Sequence, residues 1–283
     1  MYKCKFCSVC NGKACINEMP GMGGVKNNEN FILNCAGWKK YYTSKKIDDV
    51  KIRLAPMTGA VENIGYSDEK KFYFDILSSC SKENIFLSIG DGTPDEKLLW
   101  GLEALKKLNK KAAVFIKPYP DNKFYERLEW VLPYADYIGI DIDAFNILTM
   151  RRLVNLEKKS AVQLNKLKSF LNTKGLPLVI KGIFTDEDLQ MLCEVKPDVA
   201  FVSNHGGRIE TTCGSTADFL FNHKDYLKKY CKKIWVDGGI RNKDDINAAI
   251  TLGADEVLIG RPFASALCKD NLNGIKNFLS TLK

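Results

Sequence analysis

Short runs of apolar and β-branched residues recur from about residue 50 onward, and longer stretches with helically spaced apolar positions lie between them. The runs are Ile52 to Met57, Ile85 to Ile89, Ala113 to Ile116, Tyr137 to Ile142, Leu178 to Ile183, Val199 to Ser203, Ile234 to Asp237 and Glu256 to Ile259, eight in all. The intervening segments read as helices over Asp68 to Ser79, Pro94 to Leu108, Asn122 to Val131, Ala161 to Asn172, Asp186 to Glu194 and Asp244 to Leu252. Ser67, Thr93 and Thr185 are the expected N-caps. Strands alternating with helices pair in parallel, because each crossover helix returns the chain to the same end of the sheet. Eight such units predict an α/β fold of the (β/α)8 TIM-barrel type over residues 46–283. An open doubly wound sheet is the competing architecture, but no GxGxxG follows the first run. Residues 1–45 read as a separate extension bearing cysteines and glycines.

Composition sets limits on this picture. With 45% hydrophobic and 27% charged residues, the 283-residue chain is neither disordered nor collagen-like nor a coiled coil. Its charge of +8 comes from lysines and arginines scattered along the whole chain, which reads as solvated helix faces, and no basic-aromatic motif suggests a nucleic-acid partner. The opening MYKCKFCSVC has no apolar leader core and no run of 18 apolar residues occurs, so neither secretion nor a membrane span is expected and the setting reads as cytoplasmic. Under reducing conditions the ten cysteines should be thiols or metal ligands. Four of them, Cys4, Cys7, Cys10 and Cys15, follow a C-x2-C-x2-C-x4-C spacing that can gather thiolates around zinc or an iron–sulfur cluster. Structural or redox thiols are the alternative.

Barrel enzymes carry their chemistry where the strands end, since the βα loops converge there on one mouth. The sixth run ends in Ser203-Asn204-His205-Gly206-Gly207-Arg208, which places a base and a carboxylate-binding guanidinium in one short loop. Only one other histidine exists, His223, and it sits in a polar surface-like stretch. The seventh run ends in Asp237-Gly238-Gly239-Ile240-Arg241 and the eighth in Gly260-Arg261-Pro262, glycine plus arginine where barrels bind phosphate. In the fifth run Lys181 interrupts an apolar strand, so it should have an anionic or electron-rich partner inside the mouth. The fourth run offers Asp141 and Asp143, whose spacing puts both on one side of a pleat and lets one of them support His205. The third ends in Lys117-Pro118-Tyr119, which supplies a phenol, and the first in Ala55-Pro56-Met57, small and apolar enough to line a flat aromatic cofactor.

In the motifs SNHGGR (203–208), KGIFTDEDL (181–189) and VDGGIRNKDDINAAITLGADEVLIGRP (236–262), the chain resembles the FMN-dependent 2-hydroxy-acid oxidase/dehydrogenase family. That family includes glycolate oxidase, lactate oxidase and the flavin domain of yeast-type lactate dehydrogenase, and the likeness covers roughly residues 50 to 270. The resemblance implies His205 as the active-site base, Arg208 as the substrate-carboxylate clamp, Asp143 as the stabiliser of the imidazolium and Tyr119 as a donor to the substrate oxygen. It further implies Lys181 beside flavin N1, with Asp237, Gly239, Arg241, Gly260 and Arg261 at the ribityl-phosphate. Ala55, Pro56, Met57, Ser88, Lys117 and Ser203 would complete the flavin contacts. Lys117 stands where the family usually has a glutamine, and the family's substrate-holding tyrosine has no counterpart in Asn17 to Gly24. The implied reaction is oxidation of a small 2-hydroxy acid to the 2-oxo acid with FMN as two-electron acceptor, oxygen or another acceptor downstream, and a homo-oligomeric protein. Two rivals stand beside it. A flavin-dependent isomerase has no use for the HGGR base and clamp, whereas a redox sensor or electron-transfer protein built around the cysteine head would bind flavin or metal without turnover.

Overall fold

Eight parallel strands form the centre of the molecule: β1 (Ile52–Leu54), β2 (Ser88–Gly90), β3 (Ala112–Ile116), β4 (Ala135–Asp141), β5 (Leu178–Ile183), β6 (Val199–Val202), β7 (Lys233–Val236) and β8 (Glu256–Ile259). The computed structural model describes residues 29–45, 47, 49–61, 66–209 and 211–282. Consecutive strands are neighbours from β2 to β8, and β8 pairs with β1. A parallel bridge between Arg53 and Phe86, with Leu54 N–H donating to the Phe86 carbonyl at 2.8 Å, joins the remaining edges and makes the barrel. The expected (β/α)8 architecture is therefore the observed one.

The pleat sorts each strand into two faces. One face packs outward against the helices and supplies the larger core, including Val114, Ile116, Ile138, Ile140, Leu178, Ile180 and Val236. The other faces the barrel axis, where Ala55, Ala113, Phe115, Val179, Val199, Phe201, Trp235 and Leu258 form a closed apolar plug. At the base of that plug the buried Arg53 pairs with Glu256 at 2.8 Å and lies over the Trp235 ring at 4.4 Å, so its charge is both balanced and stacked. Two residues further along each strand from the plug come Lys117, Lys181, Ser203, Asp237 and Gly260. The inner face thus turns from apolar to charged as the strands reach the mouth.

Among the described residues ten helices follow the strands or extend from them: α2 (Glu69–Lys82), α3 (Glu96–Leu108), α4 (Asp121–Val131), α5 (Leu148–Leu153), α6 (Ala161–Thr173), α7 (Asp186–Val195), α8 (Thr216–Tyr230), α9 (Lys243–Thr251), α10 (Arg261–Asp270) and α11 (Gly274–Ser280), with α1 (Glu29–Gly37) preceding β1. Thr185 caps α7 as expected, in a reciprocal box with Asp188. The cap of α2 is Asp68, one residue beyond the expected Ser67, and α3 starts at Glu96 without a side-chain cap from Thr93. Helix α1 lies across the ends of the sixth and seventh strands, where Trp38, just after it, donates from Nε1 to the Gly238 carbonyl at 2.7 Å. Among the described residues no helix is long and apolar enough to cross a membrane.

Candidate active site

Four ionisable side chains meet at the ends of β4, β5 and β6. Lys181 Nζ donates to Asp141 Oδ1 at 2.7 Å and to both oxygens of Asp143 at 3.1 and 3.2 Å. His205 Nδ1 lies 3.0 Å from Asp143 Oδ1 and 3.6 Å from Asp141 Oδ1. Asp141 reaches the mouth along the pleat, but Asp143 arrives by a different route from the one its spacing suggested. β4 stops at Asp141, and the chain turns through a 3-10 segment, Ile142–Asn146, that swings Asp143 inward. Gly182 makes room for it. At φ +104° it sits in a backbone region that side chains avoid, and a Cβ there would fall 2.4 Å from Asp143 Cβ. The strand register shifts between Lys181 and Ile183, so Gly182 is also a bulge, while Lys181 points into the mouth by the ordinary alternation of the pleat.

The charges explain one another. Burial would strip Lys181 of its proton, but Asp141, Asp143 and Asp237 hold its pKa above the ordinary lysine value. Burial also raises Asp141, yet Lys181 and His205 outweigh it and keep that carboxylate well below its usual range. Asp143 goes the other way, up to about 7, because it is buried and faces Asp141. For His205, burial and the Lys181 ammonium push downward and the two carboxylates push upward harder, leaving the imidazole above its usual pKa. With both carboxylates ionised, the two aspartates and Lys181 carry one net negative charge, which a proton on His205 cancels. Near neutrality Asp143 and His205 therefore compete for a single proton and titrate as a unit. The contacts of His205 in this group all run through Nδ1, which leaves Nε2 as the ring nitrogen available to a substrate.

A second group surrounds the ends of β6, β7 and β8. Arg208 closes the His205 loop, Arg241 follows the Gly238-Gly239 turn, and Arg261 opens α10, whose N-cap Gly260 provides no capping side chain. Arg261 donates from Nη2 to the Gly206 carbonyl at 2.9 Å, and its guanidinium lies over the Phe31 ring of α1 at 4.7 Å, with Arg241 over the same ring at 5.9 Å. Burial, then repulsion from Arg208 and Arg241, lowers Arg261 to about 9; burial lowers Arg208 to about 10. Three guanidiniums gathered in this way, one of them at the start of a helix, are an arrangement that favours an anion. Nearby on the inner face, Ser88 Oγ and Asp237 Oδ1 are buried and bond to no group among the described residues, which suits a polar ligand seated in the mouth. Met57 and Ala55 face Gly260 there, so an added Cβ on Gly260 would lie 3.3 Å from Met57 Sδ.

Lys117, the inner-face residue at the end of β3, extends the row formed by Asp141 and Lys181 on the next two strands. It donates to the Asp91 carbonyl, and burial lowers its pKa while Asp91 and Asp141 oppose that shift. Tyr119 lies apart from the His205 group. Its side chain is fully buried, with Lys123 4.6 Å above its ring, and burial followed by the Asp91 charge raises its phenol. The structure thus brings together His205, Asp143 and Lys181, sets Arg208, Arg241 and Arg261 beside them, and leaves Tyr119 turned into the Asp91 and Arg127 side of the wall. Arg151 and Arg152, which follow Asp143 in sequence, are exposed on α5. Asn17 to Gly24 and the candidate metal ligands Cys4, Cys7, Cys10 and Cys15 lie outside the described residues. Among the described residues the one group of donors close enough to share an ion is Asp141, Asp143 and His205, and Lys181 already balances it.

Sequence reasoning passed over Asn34, Asn204, Asp91 and Arg127, all buried polar residues of the mouth or its wall. The signal for Asn34 was present: Asn30 and Asn34 are one helical turn apart in an otherwise apolar segment, so they share a face that must find polar partners.

Known proteins resemble this chain in sequence and in fold. A 2-hydroxyacid oxidase of Dictyostelium discoideum is 35% identical over 121 residues, which make up 42% of this chain and 30% of that protein. An L-lactate dehydrogenase of Vibrio parahaemolyticus is 42% identical over 103 residues, 36% of this chain and 27% of the relative. The chain spans about a third of the length of the curated relatives it matches. In fold, it superposes on mandelate oxidase bound to (S)-2-phenylpropionate with a TM-score of 0.68, at 17% identity, over 93% of this chain and 84% of the other. The FMN-dependent dehydrogenase family matches residues 119–283, more than half of the sequence and every strand from β4 to β8 with its loop, and the chain belongs to that family.

Proposed function

We propose that this protein oxidises a small 2-hydroxy acid to the 2-oxo acid with FMN as the electron acceptor. The observation that carries the reading is the His205 group: an imidazole held at Nδ1 by a buried carboxylate, open at Nε2, and followed three residues later by Arg208. Bound FMN would supply the chemistry the side chains lack, taking the two electrons released at the α-carbon. The remaining steps belong to the chain. Arg208 receives the substrate carboxylate in a charge-assisted fork and so places the hydroxyl-bearing carbon beside the imidazole. His205 accepts the proton that the acid gives up at Nε2, and Asp143 stabilises the resulting imidazolium. Lys181, fixed by its two aspartates, presents a permanent positive charge to the place where negative charge develops. Arg241 and Arg261, with Asp237 and the backbone of Gly239 and Gly260, would hold the ribityl-phosphate, while Ala55, Pro56, Met57, Ser88, Lys117 and Ser203 would complete the flavin contacts. Tyr119 takes part only after its phenol turns out of the Asp91 and Arg127 pocket.

Oxygen or another acceptor would reoxidise the bound flavin, and a zinc or iron–sulfur centre at Cys4, Cys7, Cys10 and Cys15 belongs to the same proposal. The test is a visible spectrum of the purified protein, followed by anaerobic addition of a panel of 2-hydroxy acids, with iron and zinc analysis of the same sample. Retained FMN that is bleached by at least one acid is the expected result. A protein that takes up no flavin overturns the reading, and bound flavin that no acid bleaches replaces it with the sensor.

A further inference from the structure

We propose that Asn34, on α1, is the positioning residue for the His205 loop, and that the N-terminal helix is in this way a working part of the site. The inference rests on His205 being the base of the proposed reaction. It starts from backbone strain. His205 has φ +56°, followed by Gly206 at +63° and Gly207 at +90°, three consecutive residues at positive φ, of which the first carries a side chain and so enters a region few non-glycine residues occupy. Such a conformation persists only where the surroundings over-determine it. Here they do so through two asparagine side chains that face each other. Asn34 Nδ2 donates to Asn204 Oδ1 at 2.7 Å, Asn204 Nδ2 donates back to Asn34 Oδ1 at 3.1 Å, and the Gly207 N–H donates to Asn204 Oδ1 at 2.9 Å. Asn34 Oδ1 also accepts the Thr216 N–H at 3.0 Å, which ties the start of α8 to the same point.

One turn earlier on α1, Asn30 holds the far end of the loop, donating to the carbonyls of Ile209 and Thr212 at 2.8 Å each and accepting the Gly214 N–H at 2.7 Å. The fit between helix and loop is close: a Cβ on Gly207 would lie 2.6 Å from the Phe31 nitrogen. Asn34 is 2% exposed and Asn204 is fully buried, so the amide pair works where water does not compete. Removing the Asn34 amide takes two bonds from the Asn204 side chain and leaves it, apart from Gly207 itself, only its longer one, to the Gly214 carbonyl at 3.3 Å, so its hold on Gly207 loosens, the loop relaxes toward ordinary φ values, and the imidazole moves away from Asp143. The groups facing His205 are Asp141 and Asp143 from the β4 end, Lys181 from β5, Asp237 from β7, and Arg208 with Arg261 beside the loop. Losing the two near carboxylates returns the imidazole toward its ordinary pKa.

The experiment compares Asn34→Ala, Asn34→Asp and a control, Tyr41→Phe, which removes a bond between the same segment and Asp218 without touching the loop. Two readouts are taken on the purified full chain: the pH profile of anaerobic flavin reduction, and the titration of the His205 ring nitrogens by NMR, assigned by its disappearance in His205→Gln. We expect Asn34→Ala to keep FMN, to reduce it at least tenfold more slowly, and to titrate His205 at a lower pH than the parent. Asn34→Asp retains the acceptors and loses the donor, so it should fall between the two, and Tyr41→Phe should behave as the parent. If Asn34→Ala does not fold, the Asn34→Asp shift decides the matter. A His205 titration unchanged in the folded Asn34 variants overturns the proposal. The ring titration needs no flavin, so a protein that binds none would fail the oxidase reading and still test this one.

Discussion

The mouth of the barrel contains two charged regions that solve the problem of buried charge in opposite ways. At the ends of β4, β5 and β6, Lys181, Asp141, Asp143 and His205 balance one another at distances of 2.7 to 3.6 Å. At the ends of β6, β7 and β8, Arg208, Arg241 and Arg261 share a sign, and their repulsion helps to bring Arg261 down to about 9. A balanced cluster is preorganised: its geometry is fixed by internal bonds before any ligand arrives. A like-charged cluster is held together by the fold against its own repulsion and gains most when an anion enters. On the proposed function, the first serves the chemistry and the second the binding of an anion. The largest test of that division is His205→Gln, which leaves the arginine cluster intact. Flavin reduction should slow by about 10²- to 10⁴-fold, the range for loss of a general base, while FMN content stays at the parental level. A variant that loses flavin instead would show that the two regions are not separable.

The second test breaks the balanced region itself. Lys181→Met leaves two carboxylates buried without their cation, and removal of one partner from a buried pair costs about 3–5 kcal/mol. Urea unfolding of the flavin-free protein should show that loss as a lower midpoint with an unchanged slope. A change under about 1 kcal/mol would mean that the aspartates are solvated and the network is not preassembled. Arg261→Ala is the matching substitution in the other region and should have the opposite sign. Flavin-free stability should hold or rise as repulsion is relieved, whereas FMN affinity should fall about 10- to 100-fold, the loss of a charge-assisted contact worth about 1.5–3 kcal/mol. Isothermal titration with FMN measures the second quantity directly, and equal affinity in parent and variant would remove Arg261 from the phosphate site.

Which of these residues a sequence displays depends on how far their partners lie. The eight strands were legible because each is a short, nearly continuous apolar run between helical segments, and the inner-face positions follow from the alternation of the pleat. Lys181 stood out as a charge inside an apolar strand, and His205 as one of only two histidines. Asp143 was found for the wrong local reason, since a 3-10 turn and the Gly182 bulge, not the pleat, aim it at His205. Asn34 could not be tied to its partner at all, because Asn204 is 170 residues away and no local pattern encodes that pairing. The buried Tyr119 shows the same limit. Its strand position was readable, but Lys123, Arg127 and Asp91, which decide where the phenol points, come from other loops and from α4.

The smallest expected effect concerns protons, and it separates the two regions by pH before any substitution is made. In the balanced region His205 is raised above its usual value and Asp143 rises to about 7, so the folded protein binds protons there that the unfolded chain releases. Stability from Asp143 is present below about pH 4, the usual carboxylate value, and is lost as pH climbs toward 7; stability from His205 is present below about 6.5 and is lost above it. Asp141, held well below its normal range, has the contrary effect only as pH falls through the acid region. Between about pH 5 and 8 the flavin-free protein should therefore lose stability on the order of 1 kcal/mol from this network, one pKa unit being worth about 1.4 kcal/mol. Asp143→Asn should flatten that slope and move the acid limb of flavin reduction to lower pH, because the imidazole then lacks the nearer of its two carboxylates. In the arginine region inorganic phosphate should raise the melting temperature of the flavin-free protein and do so less in Arg261→Ala. A slope that persists in Asp143→Asn would place the titrating protons outside the His205 group and assign the balance in the mouth to other residues.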